Sequence, residues 1–178
     1  MPGPVFLPGE NVSLHTVARD DLPFIQRHAN DPRVWHSLAK ANPVNELQEE
    51  QWYESWSKGD DAKLLICADG DPVGFVSLTD FDTVHGSGQL GYWIAPDEWG
   101  NGYATEAVSL ITDYGFGHRR LHKIIAYVYD FNEGSKRVLE KLGFRQEGLL
   151  RDGGFIDHEY IDLLLYGVLE DEWRARQG

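Results

Sequence analysis

The chain has 178 residues, 42% of them hydrophobic, which is enough for a compact domain with a sizeable core. A formal charge of −13 excludes the basic surface that nucleic acid needs, and no apolar run approaches the roughly 20 residues that span a bilayer. The opening Met1-Pro2-Gly3-Pro4 lacks a basic region followed by an apolar stretch, so no signal peptide is read and a cytoplasmic location is expected.

Residues 12–17 alternate weakly and predict a first strand. Arg19-Asp20-Asp21-Leu22-Pro23 then signals a helix start, with an aspartate cap, an acidic first turn and an early proline; the helix is expected to stop near Ala29, before Asp31-Pro32. A second helix is predicted over 46–58. Its Leu47, Trp52, Tyr53 and Trp56 read as packing residues, with the edge of a substrate pocket as the alternative. Residues 63–68 predict a strand that carries Cys67. This sole cysteine has no disulfide partner and no companions at metal-ligand spacing, so it reads as a small apolar filler and no metal is expected.

Asp69-Gly70-Asp71-Pro72 is a turn, and 73–79 return as the second strand of a hairpin. A polar loop is expected over 80–87, a strand over 88–95 and a loop over 96–101. A helix over 103–117 has Ala104, Ala107, Val108 and Ile111 at helical spacing. Then come a strand at 123–129 and a helix at 133–142 closed by Gly143. Strands at 144–149 and 160–168 and a short helix at 169–176 complete the chain. This order predicts a mixed α/β (α+β) fold with an antiparallel first half rather than a doubly wound sheet. No linker or repeat divides it, so residues 1–178 read as one domain.

Carboxylates far outnumber lysines, and arginine exceeds lysine. That balance suits a solvation surface for a high-salt cytoplasm, a halophilic reading preferred here to attraction of a cationic amine.

The chemistry concentrates in Trp99-Gly100-Asn101-Gly102-Tyr103-Ala104-Thr105-Glu106, which follows a strand and opens a helix. Glycines let the backbone turn tightly and present consecutive amides, and a helix N-terminus adds unpaired N–H groups and a positive dipole end. Together these suit a pyrophosphate without any basic side chain. The loop lacks the lysine-serine/threonine ending of a nucleotide P-loop.

Three segments resemble the GCN5-related N-acetyltransferase (GNAT) superfamily, most closely its branch of ribosomal-protein N-terminal and spermidine acetyltransferases. The first is Leu90-Gly91-Tyr92-Trp93-Ile94-Ala95-Pro96 with the glycine loop. The second is Asn132-Glu133-Gly134-Ser135 through Leu142-Gly143-Phe144. The third is Glu147-Gly148-Leu149-Leu150-Arg151 with Tyr160-Ile161-Asp162. The resemblance implies a central twisted, mostly antiparallel mixed sheet flanked by helices. It implies acetyl-CoA as cosubstrate and a primary amine as acceptor, with a protein or peptide N-terminus preferred. A polyamine, amino acid or aminoglycoside is the alternative. Amides from Gly100 through Asn101, Gly102, Tyr103 and Ala104 to Thr105 would hold the pyrophosphate, with Trp99 in the loop's usual Gln/Arg position. Ile94 and Ala95 would lie beside the pantetheine, one backbone N–H approaching the thioester carbonyl. Asn132 and Ser135 would contact the pantetheine and the thiolate, and are the implied catalytic residues. Many relatives dimerise, so a homodimer is a further expectation.

Amine acetylation needs a neutral amine, a polarised thioester and a leaving thiolate. Holding amine and thioester in line favours direct ternary-complex transfer over a cysteine acyl-enzyme. The family's usual acid, a tyrosine, is replaced by Leu139, and a common glutamate base position falls near Gln89. Ser135 matches a serine proposed as the acid in the N-terminal acetyltransferase branch. Asp80, Asp82, His85, His158 and Asp162 are candidate bases. Tyr103 and Tyr129 read as packing residues and Glu106 as a support for helix polarity. Leu139 and Gln89 also leave open a non-catalytic acyl-CoA sensor.

Overall fold

A computed structural model describes residues 2–38 and 42–177. Eight strands form one sheet: β1 (Val5–Leu7), β2 (Ser13–Thr16), β3 (Ala62–Ala68), β4 (Asp71–Asp82), β5 (Ser87–Ile94), β6 (Lys123–Tyr129), β7 (Arg145–Ile156) and β8 (Glu159–Leu169), ordered β1-β2-β3-β4-β5-β6-β8-β7. Every adjacent pair is antiparallel except β5–β6. Among the described residues six α-helices accompany them: α1 (Leu22–Ala29), α2 (Pro32–Leu38), α3 (Glu46–Trp56), α4 (Tyr103–His118), α5 (Glu133–Lys141) and α6 (Glu170–Gln177). The mixed, mostly antiparallel architecture matches the expected fold class. Among the described residues no helix is long and apolar enough to cross a membrane.

Local chemistry accounts for the element boundaries. Asp69 and Gly70 adopt φ of 51° and 89°, which suits the tight turn between β3 and β4. Asn45 and Gln48 exchange side-chain and backbone hydrogen bonds of 2.9 and 3.0 Å, a capping box that starts α3. Asp21 is buried and accepts the Ala18 N–H at 2.8 Å, closing the turn before α1. The main core lies where α4 packs on the sheet, around Val108, Ile111, Leu78 and Ile124. A second cluster on α1 joins Leu22 and Ile25 to Leu65, Cys67 and Phe75.

Four features differ from the sequence reading. The short β1 lacks a detectable alternation and is flanked by prolines. α2 begins at the very Pro32 read as a stop. The Asp31 carboxylate accepts the Arg33 N–H at 2.9 Å, so Asp-Pro works here as cap and first helical residue. β4 runs on to Asp82, leaving only 83–86 as the loop. β7 extends to Ile156 through an irregular stretch between Leu150 and Gly154, which hides its period.

Glu106 does more than support helix polarity. From the first turn of α4 its carboxylate accepts the N–H groups of Glu10, Asn11 (2.9 Å) and Val12 (3.3 Å) and the Asn11 side-chain amide (2.9 Å). It therefore ties the segment between β1 and β2 to the start of α4.

Candidate active site

Parallel pairing between β5 and β6 runs from Ser87–Lys123 only to Leu90–Ala126. Beyond it the strands separate: β5 stays with β4 as far as Ile94, while β6 stays with β8 as far as Tyr129. Ala95 donates its N–H to Val73 at 2.8 Å, so by strand alternation the N–H groups of Tyr92 and Ile94 face the gap.

A cavity of about 700 Å³ occupies this gap. Tyr92 packs on the α4 side of the sheet and Trp93 on the α1 side, and both line the cavity, so it passes through the sheet. Trp93 stacks on Phe24, His28 and Phe75 at ring separations of 5.8, 5.6 and 6.2 Å.

At the α4 end the chain turns through Gly100 (φ 87°) and Gly102 (φ 81°), and Gly102 caps α4 without any side-chain hydrogen bond. The first amides of the helix therefore point outward unshielded by a cap. A Cβ added at either glycine would meet nothing within 4 Å. The Trp99 indole donates to the Ile94 carbonyl at 2.9 Å and pins this loop to the end of β5. Opposite it, Asn132 caps α5 by accepting the Ser135 N–H at 3.1 Å. The Ser135 Oγ lies 2.7 Å from the Tyr92 hydroxyl. Burial pushes the Tyr92 phenol up to about 12, against the opposing pull of the Ser135 hydrogen bond, so it keeps its proton.

Of the residues singled out in the sequence, the structure brings Ile94, Trp99, Gly100, Gly102, Tyr103, Ala104, Thr105, Asn132 and Ser135 to the cavity wall. Ala95 and Asn101 are not part of that wall. Ala95 is buried with its N–H committed to Val73, leaving Ile94 as the donor toward the gap, and the Asn101 side chain turns back to the Glu98 carbonyl at 3.1 Å. Leu139 is fully buried in the main core.

None of the five candidate bases lines the cavity. Asp80, Asp82 and His85 belong to the β4–β5 hairpin, at the closed end of the strand gap. There Asp82 accepts the Val84 and His85 N–H groups, both at 2.9 Å. His158 lies in the β7–β8 turn, and Asp162 accepts the Asp152 N–H at 2.9 Å, holding the irregular stretch of β7. Cys67 is likewise outside the cavity wall, and burial, reinforced by Asp21 and Asp71, raises its thiol to about 12. That thiol is unsuited to an acyl-enzyme.

Sequence reasoning missed the partnership of Tyr92 with Ser135 and the whole of α2. Tyr92 carried one signal, its alternation with Trp93 on a strand next to the loop. From α2, Arg33, Val34, His36, Ser37 and Leu38 line the cavity. Arg33 binds Asp31 at 2.8 Å and Asp97 at 3.1 Å, linking α2 to the turn after β5. His36 places Nδ1 2.9 Å from the Pro32 carbonyl and Nε2 2.9 Å from the Asp157 carboxylate in the β7–β8 turn.

Both His36 partners are acceptors, so only the imidazolium satisfies both. The Asp157 hydrogen bond raises the His36 pKa; burial opposes it, and the Pro32 carbonyl adds to the rise. The stabilisation is complete below the ordinary value of 6.5 and fades as pH rises through the raised folded-state value. Amide exchange over α2, corrected for intrinsic rates, is expected to quicken relative to α4 as pH climbs above 6.5. His36→Gln should flatten that dependence; a flat ratio in the unmutated protein would contradict it.

Residues 11–145 match the family description Acetyltransferase (GNAT) domain. The Bacillus subtilis protein YdaF, provisionally named a ribosomal N-acetyltransferase, is 29% identical over 78% of this chain and 76% of its own. The spermidine N(1)-acetyltransferase of Escherichia coli is 26% identical over 93% of this chain and 89% of its own. The structure of a Vibrio cholerae spermidine N-acetyltransferase in complex with CoA and spermine superposes with a TM-score of 0.86 at 25% identity, covering 93% of this chain and 99% of that one. With its strand gap, glycine-turned helix start and family match, the chain belongs to the GNAT family and is an N-acetyltransferase.

Proposed function

We propose that the protein transfers an acetyl group from acetyl-CoA directly to the α-amine of a protein or peptide. The observation that carries the donor half is the uncapped start of α4, with open space at Gly100 and Gly102, at one end of the strand gap. Amides from Gly100 to Thr105 would take the pyrophosphate, and the gap-facing backbone of Tyr92 and Ile94 would take the pantetheine arm. The bound thioester supplies the activated acyl group. Ile94 N–H would donate to its carbonyl, and Asn132 and Ser135 would flank the sulfur side.

The acceptor half is supported by the apolar side chains that α2 and β5 add to the cavity wall. Among the described residues, the carboxylates lining the cavity are Glu98 and Glu133, beside the glycine loop and at the start of α5. α2 and β5 add Val34, Leu38 and Trp93 to the wall, and the charges there are already paired, Arg33 with Asp31 and Asp97 and His36 with Asp157, so those carboxylates are spent. A polycation calls for facing carboxylates, whereas a peptide needs only one neutral amine with apolar and backbone contacts. Direct transfer is supported by the absence of Cys67 from the cavity wall.

The same reading takes the chain as one domain, supported by the single sheet from β1 to β8, and as a cytoplasmic enzyme, supported by its one unpaired, buried cysteine. The carboxylate-rich composition supports a high-salt setting. A homodimer is supported by β7, an edge strand that exposes Leu149, Leu150 and Phe155.

The test is CoA thiol release with acetyl-CoA across peptides of varied first residue and across spermidine and spermine, at low and high salt. Peptides are expected to drive release well above the polyamines. Polyamine-driven release with silent peptides would overturn the acceptor reading, and absence of CoA binding would overturn the donor reading.

A further inference from the structure

The replacement of the family's tyrosine by a buried Leu139 leaves the departing sulfur without its usual phenol. A different phenol reaches the same wall of the cavity from the opposite side, on β5 instead of α5. We propose that Tyr92 is a positioning residue for Ser135: by donating its phenolic hydrogen to Ser135 Oγ, it leaves the serine hydroxyl hydrogen free to turn into the cavity and meet the CoA sulfur. The inference rests on the reading that CoA lies along the strand gap with its sulfur beside Ser135.

Two arrangements of hydrogens compete. The Tyr92 hydroxyl lies 2.7 Å from Ser135 Oγ and 3.3 Å from the Ser135 carbonyl oxygen. If the phenol donated to the carbonyl, Ser135 would have to donate back to the phenol, and its hydrogen would be consumed inside the pair. The 2.7 Å contact fits a hydrogen bond in either direction, whereas 3.3 Å lies outside the usual O–H···O range, which makes the carbonyl the poorer acceptor for the phenol and Oγ the better one. A phenol raised to about 12 carries its proton throughout neutral pH, so the donor is always present. Ser135 is itself held in place, its N–H on Asn132 Oδ1 at 3.1 Å and its side chain in the first turn of α5. A hydroxyl that accepts one hydrogen bond becomes a better donor of its own.

In the reaction the amine nitrogen bonds to the acyl carbon as the acyl carbon–sulfur bond breaks, and the bonding pair leaves on sulfur. Ser135 donates a charge-assisted hydrogen bond to that thiolate without surrendering its proton, and Tyr92 likewise keeps its own. The proton lost by the amine goes to solvent, and the released thiolate takes its proton there.

The experiment uses Tyr92→Phe, which keeps the ring and removes only the hydroxyl, with Ser135→Ala and the double variant. The first readout needs no acceptor: the thiol of bound CoA is titrated by its thiolate absorbance. Its pKa is expected to rise by about one unit in Tyr92→Phe, equivalent to tenfold. It should rise at least as far in Ser135→Ala, and no further in the double variant. In turnover, kcat is expected to fall about tenfold in Tyr92→Phe with KM for acetyl-CoA unchanged, the signature of an interaction made only as the sulfur leaves. An unchanged thiol pKa and kcat in Tyr92→Phe would overturn the proposal. So would an equal further loss when Tyr92→Phe is added to Ser135→Ala, since Tyr92 would then act independently. If wild-type protein failed to bind CoA, the donor reading and this inference would fall together. Normal binding with an unmoved thiol would sink this inference alone.

Discussion

Replacing Gly102 by alanine is expected to weaken CoA binding by about tenfold or more, the value of one lost hydrogen bond to a charged group. The added methyl meets no protein atom within 4 Å, so nothing in the folded chain resists it sterically. The cost to the fold is that of an L-residue at φ 81°, about 1–2 kcal/mol. The methyl instead projects from a helix start that no side chain caps, where an anion is to be received by main-chain amides. Calorimetric titration with CoA and thermal unfolding of the free protein separate the two effects. Gly100→Ala, at φ 87° and equally unobstructed, should behave alike, and the double variant should bind more weakly than either. Undiminished affinity in all three would show that the pyrophosphate lies elsewhere.

The second large effect falls on stability. Glu106→Ala is expected to lower the unfolding free energy by about 2 kcal/mol, because three backbone N–H groups lose a charged acceptor at once. Water recovers part of that loss, since most of these groups are exposed. Burial pushes the Glu106 carboxyl up, but the side-chain and backbone hydrogen bonds from Asn11, with those from Val12 and Glu10, outweigh it and hold the pKa below its ordinary 4.5. A carboxyl depressed in the folded state stabilises above its unfolded value and ceases to do so as pH falls through the folded one. The gap between wild type and Glu106→Ala in denaturant unfolding should therefore be full at neutral pH and shrink below 4.5. Glu106→Gln, which keeps one acceptor oxygen, should fall between them. A gap that stays constant into acid would refute the carboxylate's role.

The parts of the site legible in the sequence are those built from neighbours along the chain. Gly100, Gly102 and Ala104 announce a turn into a helix because only a few residues need agree, whereas Asn132 and Ser135 were marked by the family resemblance alone and their cap emerged from the structure. The Tyr92–Ser135 contact joins residues 43 apart, and no local period records it. The candidate bases failed for a related reason. Asp82 and Asp162 are acidic and loop-adjacent, as a base would be, but each spends its carboxylate on nearby backbone N–H groups. The loss of α2 was a misjudged sign. Asp31-Pro32 ends one helix and begins another, and without the partners Asp97 and Asp157 nothing along the chain favours the second meaning.

The short parallel seam has a consequence for how the molecule comes apart. Strands β1 to β5 are joined in sequence order by antiparallel pairing, and β6, β8 and β7 form a second antiparallel set in which β8 lies between the other two. The two sets share one strand junction, four residue pairs long, bridged by the crossover through α4. The gap is complete only when both sets are in place on either side of the seam. A molecule lodged in the gap touches both sets only after they have met. Its binding energy belongs to the folded state, in which both sets are in place, and to no state in which they are apart. The ligand thus acts as a clasp on the folded chain, drawing the equilibrium toward the state in which both sets are in place.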